Sequence, residues 1–169
     1  MIFVTVGTHE QQFNRLIRKI DELKRNEEIT EEVFVQSGYS TYTPQYCEWK
    51  MLLPYKEMQE KIKKAHIVIT HGGPSSFISV LQEGKIPVVV PRKAEYEEHI
   101  NNHQTEFARM VYARKKNIIL VEDVKDIGNI INNYDCLVSR MPKKMKSNNK
   151  EFNRKFEEIV ENLFKDKKI

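Results

Sequence analysis

The sequence predicts an α/β fold in which helices cover both faces of a doubly wound parallel sheet. Apolar runs at 2–6, 67–70 and 86–90 are continuous, which is typical of strands buried on both faces. Segments with apolar residues at helical spacing separate these runs. Polar or glycine-rich turns follow several strands, at the sheet edge where α/β proteins bind ligands.

Each element is predicted from its own pattern of apolar residues. The predicted strands span 2–6, 33–35, 49–53, 67–70, 86–90 and 118–121, and the predicted helices span 13–24, 55–65, 75–83, 107–111 and 127–131. Phe152, Phe156, Ile159, Val160 and Leu163 then share one face of a last amphipathic helix. We therefore expect one domain at 1–138, a basic linker at 139–149 and a C-terminal helix at 150–169.

The bulk composition bounds the function class. A net charge of +4, from 28 basic and 24 acidic residues, does not predict a nucleic-acid partner. The basic excess is local, with lysines concentrated late in the chain, and either a solvated helix face or an anionic contact surface explains it. Two cysteines without ligand-like spacing predict no metal site and fit a reducing cytoplasm, and no signal peptide or membrane span is expected.

The first strand ends at Gly7-Thr8-His9, where glycine allows close backbone approach to a ligand and Thr8 offers a hydroxyl. A purely structural tight turn explains this loop equally well. The sequence contains neither a GxGxxG pattern nor a P-loop motif, which argues against a dinucleotide redox cofactor and a P-loop nucleotide site.

The strongest motif is the segment that follows the predicted strand 67–70. It contains a histidine, two glycines, a proline and two serines, namely His71, Gly72, Gly73, Pro74, Ser75 and Ser76. Glycines open the turn, proline suits the first helical position, and the serines place hydroxyls beside free helix N–H groups, which favours a diphosphate. The alternative is that a serine only caps the helix and that His71 is a structural histidine.

A second polar segment follows the strand 86–90 at the same predicted sheet edge. Its donors and acceptors are suited to sugar hydroxyls, and they are Glu98, His99, Asn102, His103 and Gln104. A solvated loop is one alternative. Metal binding by His99 and His103 is another, although the sequence shows no third ligand.

These motifs carry a resemblance to a known family. The ordered set of GTH, THGGPSS, PVVVP and NHQ resembles the C-terminal, donor-binding half of the family 28 glycosyltransferases over roughly residues 1–121. The chain is most similar to the small subunit of two-chain enzymes, and we place it closest to bacterial capsule and exopolysaccharide galactosyltransferases. The resemblance implies a single Rossmann-like half of a GT-B fold.

The resemblance also implies a reaction and roles for residues. The reaction is inverting hexose transfer, with galactose favoured, from UDP to a lipid-diphosphate-linked saccharide, without a cofactor or metal. Gly7, Thr8, Gly72, Gly73, Ser75 and Ser76 match the diphosphate loops, Gly38 lies near the base, and His103 and Gln104 match the pair that faces the sugar. His9 is the candidate base, with a base supplied by the partner chain as the alternative. His71 is the other candidate catalytic residue.

The resemblance further implies a partner and a location. A membrane-anchored subunit supplies the acceptor half and holds this chain at the cytoplasmic face of the plasma membrane. Where the family carries a ribose-binding glutamate this sequence has Ser79, so Ser79 or Glu83 is the expected substitute. That departure keeps a non-catalytic, UDP-sugar-binding enhancer as an alternative, and the lysine clusters keep a nucleic-acid-binding protein as a third.

Overall fold

The structure, a computed structural model, describes residues 1–141 and 149–165, with side chains described for 1–141 and 153–161. The strands are β1 (Ile2–Thr5), β2 (Val33–Gln36), β3 (Glu48–Lys50), β4 (Ile67–His71), β5 (Val88–Val90) and β6 (Ile119–Leu120). The helices are α1 (Asn14–Arg25), α2 (Tyr55–Lys64), α3 (Pro74–Gln82), α4 (His103–Lys115), α5 (Ile127–Asn132), α6 (Tyr134–Ser139) and α7 (Asn149–Lys165). Short 3-10 helices lie at Ala94–Tyr96 and Val124–Asp126.

The six strands form one parallel sheet in the order β3-β2-β1-β4-β5-β6. This order confirms the predicted doubly wound, Rossmann-like sheet. Strand β1 pairs with both β2 and β4. From β1 the chain adds β2 and β3 on one side, then returns to add β4, β5 and β6 on the other side, so the switch point of the topology lies between β1 and β4. The carboxyl ends of these two strands flank a crevice, because the helices that follow them pack on opposite faces.

Two hydrophobic layers cover the sheet, one on each face. Val4 of β1 packs with residues of α1 and α5, including Leu16 and Ile127. Phe3, the preceding residue of β1, packs with Ile62 of α2 on the other face. Neighbouring strand residues point to opposite faces, so a continuous apolar run fills both layers at once.

The largest departures from the predicted elements lie at the ends of the elements. Strand β3 is an exposed edge strand that ends at Lys50, and the carbonyl of Met51 beyond it accepts hydrogen bonds from the Gly38 N–H and the Gln36 amide. Helix α4 begins at His103, so two residues expected in a loop belong to its first turn. Helix α6 was not predicted, since six residues are too few to show a periodic pattern.

The C-terminal part agrees with the predicted helix where it is described. Helix α6 ends at Ser139, and α7 spans Asn149–Lys165 with Phe156 and Ile159 57% and 58% exposed. Most of the predicted linker, 142–148, and the last residues, 166–169, lie outside the described residues, as do the side chains of Phe152 and Leu163. Among the described residues no helix is long and apolar enough to cross a membrane.

Candidate functional site

A cleft of about 290 Å³ opens at the switch point between β1 and β4. Its size is near the lower end for small-ligand pockets, and its position is the one that doubly wound sheets use for ligands. Three parts of the chain form its walls: the end of β1 with the following turn, helix α2, and the end of β4 with the start of α3. The lining residues are Thr5, Gly7, Thr8, Tyr55, Met58, Gln59, Ile62, His71, Ser75, Ser76 and Ser79.

The first loop is held by the buried amide of Gln36 at the end of β2. Its Oε1 accepts hydrogen bonds from the Thr5 hydroxyl at 2.6 Å and the Gly7 N–H at 3.2 Å, while Nε2 donates to the Gly7 carbonyl at 3.0 Å. Gly7 has a φ of +77°, a conformation that L residues with side chains rarely adopt. The amide therefore fixes the backbone that borders the cleft, and sequence reasoning assigned Gln36 no role.

His71 ends β4 and is packed between two glycines. A Cβ atom on Gly7 would lie 2.5 Å from the His71 ring, and one on Gly73 would lie 2.4 Å from it. Burial, with a smaller contribution from the Arg92 charge, lowers the pKa of His71 to about 4. The ring is therefore neutral near pH 7, and because its Nδ1 is buried, only Nε2 can face the cleft.

Helix α3 presents its N-terminus to the cleft. Pro74 occupies the first turn, as predicted, and the helix has no side-chain cap, so capping does not account for Ser75 or Ser76. The Ser76 N–H donates to the Gly73 carbonyl at 3.1 Å, so not every N–H of this turn is free. Both serine hydroxyls face the cleft beside the positive end of the helix, an arrangement suited to an anion.

A buried arginine lies behind the first loop, and sequence reasoning did not select it. The Arg92 guanidinium is fully buried and donates to four backbone carbonyls, those of Val6, Gln11, Gln12 and Glu98, at 2.8–3.0 Å. Burial lowers its pKa to about 10, which leaves it charged at neutral pH. Its hydrogen bonds join the loop after β1 to the loop after β5. The sequence feature that could have singled out Arg92 is its position just after an apolar strand.

His9 and His99 meet across these two loops. Their ring centroids are 4.8 Å apart with an interplanar angle of 38°. Burial, the neighbouring His99 and the Arg92 charge together lower the pKa of His9. The structure thus gives the first loop a histidine that is disposed to be neutral, and neither histidine lines the cleft itself.

The predicted sugar-contacting segment is only partly available to a ligand. Glu98 was predicted to contact a sugar, but its carboxylate is fully buried and accepts hydrogen bonds from Arg15 at 2.9 Å and from the Lys93 N–H at 3.0 Å. Asn102 accepts a hydrogen bond from the Ala94 N–H at 3.0 Å and supports the loop. These two residues are explained by the architecture of the loop.

The three other predicted residues, Gln104, His103 and Gly38, do not line the cleft. Gln104 lies against Gly72, where a Cβ atom would approach the Gln104 Cβ to 2.9 Å, and its Oε1 accepts from the Arg92 N–H. His103 is exposed at the start of α4 and stacks on Phe107. Gly38 packs on the first loop, since a Cβ there would lie 2.6 Å from the Gly7 carbonyl oxygen.

The described residues contain no group of three or more His, Cys, Asp or Glu side chains arranged to hold a metal ion. His99 and His103, which were considered as ligands, are engaged with different rings, those of His9 and Phe107. The structure thus gives no support to the alternative of a metal site at these two residues.

Comparison with known proteins assigns the chain to a family. The model of the glycosyltransferase family 28 C-terminal domain matches residues 1–163, nearly the whole chain. The chain belongs to this family. The matched residues include all those that line the cleft and extend into α7.

Two curated relatives match this family 28 domain. The chain is 33% identical over 120 residues to the UDP-N-acetylglucosamine transferase subunit ALG13 of Homo sapiens, and 32% identical over 72 residues to the subunit of the same name of Yarrowia lipolytica. The matches cover 66% and 43% of this chain, but 10% and 34% of the relatives. These relatives support the predicted resemblance to the family, but not its placement among bacterial capsule galactosyltransferases.

Proposed function

We propose that the chain binds a UDP-hexose in the cleft between β1 and β4 and is the donor half of a two-chain glycosyltransferase. The observation that carries this proposal is the convergence of two anion-suited loops at the switch point, one at Gly7 and one at Ser75 and Ser76. Family membership and the names of the two relatives support it. A complete GT-B enzyme has two such domains, and the described sheet forms one of them.

The diphosphate is placed against the start of α3. Its charge rises as the bond to the sugar breaks, and helix N–H groups and the hydroxyls of Ser75 and Ser76 stabilise that developing charge. These donors are fixed before the reaction, because Gly73, Pro74 and the packed His71 ring determine the path of the loop. We propose that this preorganisation assists departure of UDP.

His9 is proposed as the general base. The acceptor hydroxyl oxygen attacks the anomeric carbon, the bond from that carbon to the phosphate oxygen breaks, and the hydroxyl proton passes to His9 as UDP leaves. Attack from the face opposite the leaving group inverts the anomeric configuration. A lowered pKa keeps His9 in the neutral form that accepts a proton.

The transferred sugar has two candidates. N-acetylglucosamine is supported by the names of both relatives. Galactose rests only on the resemblance to bacterial polysaccharide enzymes, a placement that the two relatives do not support. The acceptor is proposed to be a lipid-diphosphate-linked saccharide, presented at the cytoplasmic face of a membrane by a membrane-anchored partner chain.

Thermal unfolding with a panel of nucleotide sugars tests donor binding. UDP-N-acetylglucosamine or UDP-galactose at one hundred times its Kd stabilises the folded state by about 2.7 kcal/mol, because a ligand that binds only the native state shifts the unfolding equilibrium. A Ser75→Ala, Ser76→Ala variant loses most of the shift, whereas Ser139→Ala on α6 keeps it. GDP-mannose serves as the nucleotide control, and a chain that no UDP-sugar stabilises contradicts the proposal.

A non-catalytic enhancer is the second candidate, and Ser79 in place of the family's ribose-binding glutamate is the feature that favours it. Sugar transfer, measured with the chain coexpressed with its acceptor half, distinguishes the enzyme from the enhancer. If His9 is the base, His9→Asn abolishes transfer while UDP-sugar stabilisation remains. A passive enhancer tolerates the same substitution.

The nucleic-acid-binding alternative is tested by RNA binding. Binding that weakens with added salt and is not prevented by UDP favours that alternative.

A further inference from the structure

Helix α2 forms a wall of the cleft, and the proposed placement of the diphosphate gives this wall no role. Its residues Tyr55, Met58, Gln59 and Ile62 line the same cleft as the start of α3, against which α2 packs. Three of these four side chains are apolar or aromatic. A nucleoside beside the diphosphate would bring a flat, largely apolar base and a ribose with two vicinal hydroxyls to this wall.

Two polar side chains in this part of the cleft are candidates for the ribose hydroxyls. Ser79 on α3 has its hydroxyl proton engaged, because Oγ donates to the Ser75 carbonyl at 2.8 Å. Its oxygen therefore remains only as an acceptor. One acceptor does not satisfy two adjacent hydroxyls, each of which can donate and accept.

Gln59, on α2, is the second candidate. It is partly buried in the cleft, and its amide forms no hydrogen bond with any residue in the described part of the chain. A glutamine amide offers an acceptor oxygen and two N–H donors, which complement a pair of vicinal hydroxyls. A partly desolvated amide without a partner gains most from a ligand that supplies both functions.

We propose that Gln59 recognises the ribose diol of the bound nucleoside diphosphate and determines specificity for a ribonucleotide, with Ser79 as a secondary acceptor. This inference rests on the proposed function, since it assumes that the diphosphate lies at Gly7, Ser75 and Ser76. It also gives the chain a ribose contact from α2, where the family pattern expects a glutamate on α3.

Calorimetric titration with UDP and 2′-deoxy-UDP tests the proposal on the full chain. Wild-type protein binds UDP roughly five- to ten-fold more tightly than 2′-deoxy-UDP, as expected for one hydrogen bond to the missing hydroxyl. Gln59→Ala removes the contacts to both hydroxyls, so it weakens UDP binding by at least a similar factor and weakens 2′-deoxy-UDP binding less, since only the 3′-hydroxyl contact is lost there, and the preference disappears. Glu60→Ala, at the next and exposed position of α2, retains the wild-type preference.

The outcomes separate this inference from the proposed function. If Gln59→Ala binds UDP and keeps the full preference over 2′-deoxy-UDP, the role of Gln59 is overturned while UDP binding still supports the donor half. If wild-type protein binds neither nucleotide, both proposals are overturned. An unchanged melting temperature of ligand-free Gln59→Ala shows that its altered preference does not come from misfolding.

Discussion

At the scale of single residues, His71 and two glycines form one packed unit. The ring fits only because neither Gly7 nor Gly73 carries a Cβ atom. Gly7 and Gly73 thus leave room for a buried ring in addition to shaping their turns. The histidine in turn separates the two loops that line the cleft and remains neutral near pH 7.

Comparison of Gly7→Ala with Gly84→Ala measures the contact between residue 7 and the His71 ring. Both glycines have positive φ, +77° and +73°, so each substitution costs roughly 1–2 kcal/mol of backbone strain. Only at Gly7 does the new Cβ meet the His71 ring, since nothing lies within 4 Å at Gly84. We expect urea unfolding to show that Gly7→Ala is destabilised by at least about 1 kcal/mol more than Gly84→Ala. Equal losses would show that the ring moves aside freely.

At the scale of elements, a buried charge joins the loops that follow β1 and β5. The Arg92 guanidinium donates to carbonyls of the first loop on one side and of the Glu98 segment on the other. The Glu98 carboxylate in turn binds Arg15 of α1, with 2.9 Å between Nε and Oε1. His9 and His99, which belong to these loops, therefore take their relative position from a framework of buried hydrogen bonds.

Removing this charge is expected to loosen both loops. Arg92→Met leaves four backbone carbonyls without this donor, two of them in buried and two in partly buried hydrogen bonds, which costs about 3 kcal/mol or more of the free energy of unfolding. Arg109→Met is the matched control, because Arg109 forms an exposed ion pair with Glu122 that contributes little. Urea midpoints measure both variants. Similar midpoints for the two would contradict a structural role for Arg92.

At the scale of the whole molecule, the cleft and the terminal helix are separate in sequence. The residues that line the cleft fall between Thr5 and Ser79, whereas α7 spans Asn149–Lys165. Two apolar side chains of α7, Phe156 and Ile159, are more than half exposed. Such a face suits a hydrophobic partner surface, and its basic flanks in the sequence suit anionic lipid nearby.

Deletion of residues 149–169 tests the role of this helix. We expect the truncated chain to lose copurification with the proposed membrane-anchored partner and to keep the proposed stabilisation by UDP-sugar, because no residue of the cleft is removed. Ile159→Asp reproduces the loss if the apolar face makes the contact, while Glu157→Gln, at an exposed charged position, does not. A truncated chain that still copurifies refutes the assignment.

Most of the fold was predictable because buried parallel strands have a distinctive composition. Runs such as those around Val4 and Val89 are apolar at nearly every position, and one sheet with two covered faces is the structure that such runs form. The ends of elements were less predictable. Strand β3 is shorter than predicted, and α4 begins at His103, earlier than predicted, because the polar residues of its first turn do not show the apolar spacing that indicates a helix.

The candidate site was predictable where it depends on local turns. Gly7, Ser75 and Ser76 follow strands directly, so their place at the carboxyl edge follows from strand order alone. Gln36 and Arg92 escaped prediction because their roles depend on contacts with residues 29 and about 80 positions away in sequence.

By itself the sequence determined the parallel sheet, the glycine-rich turns and the family, because these depend on local composition and on an ordered set of motifs. Only the tertiary structure decided which polar groups meet a ligand. It buried Glu98 against Arg15, enclosed His71 between two glycines, and brought Gln59 of α2 to the cleft. The physical reason is that desolvation and hydrogen-bond partners are set by segments that are distant in the chain and adjacent in space.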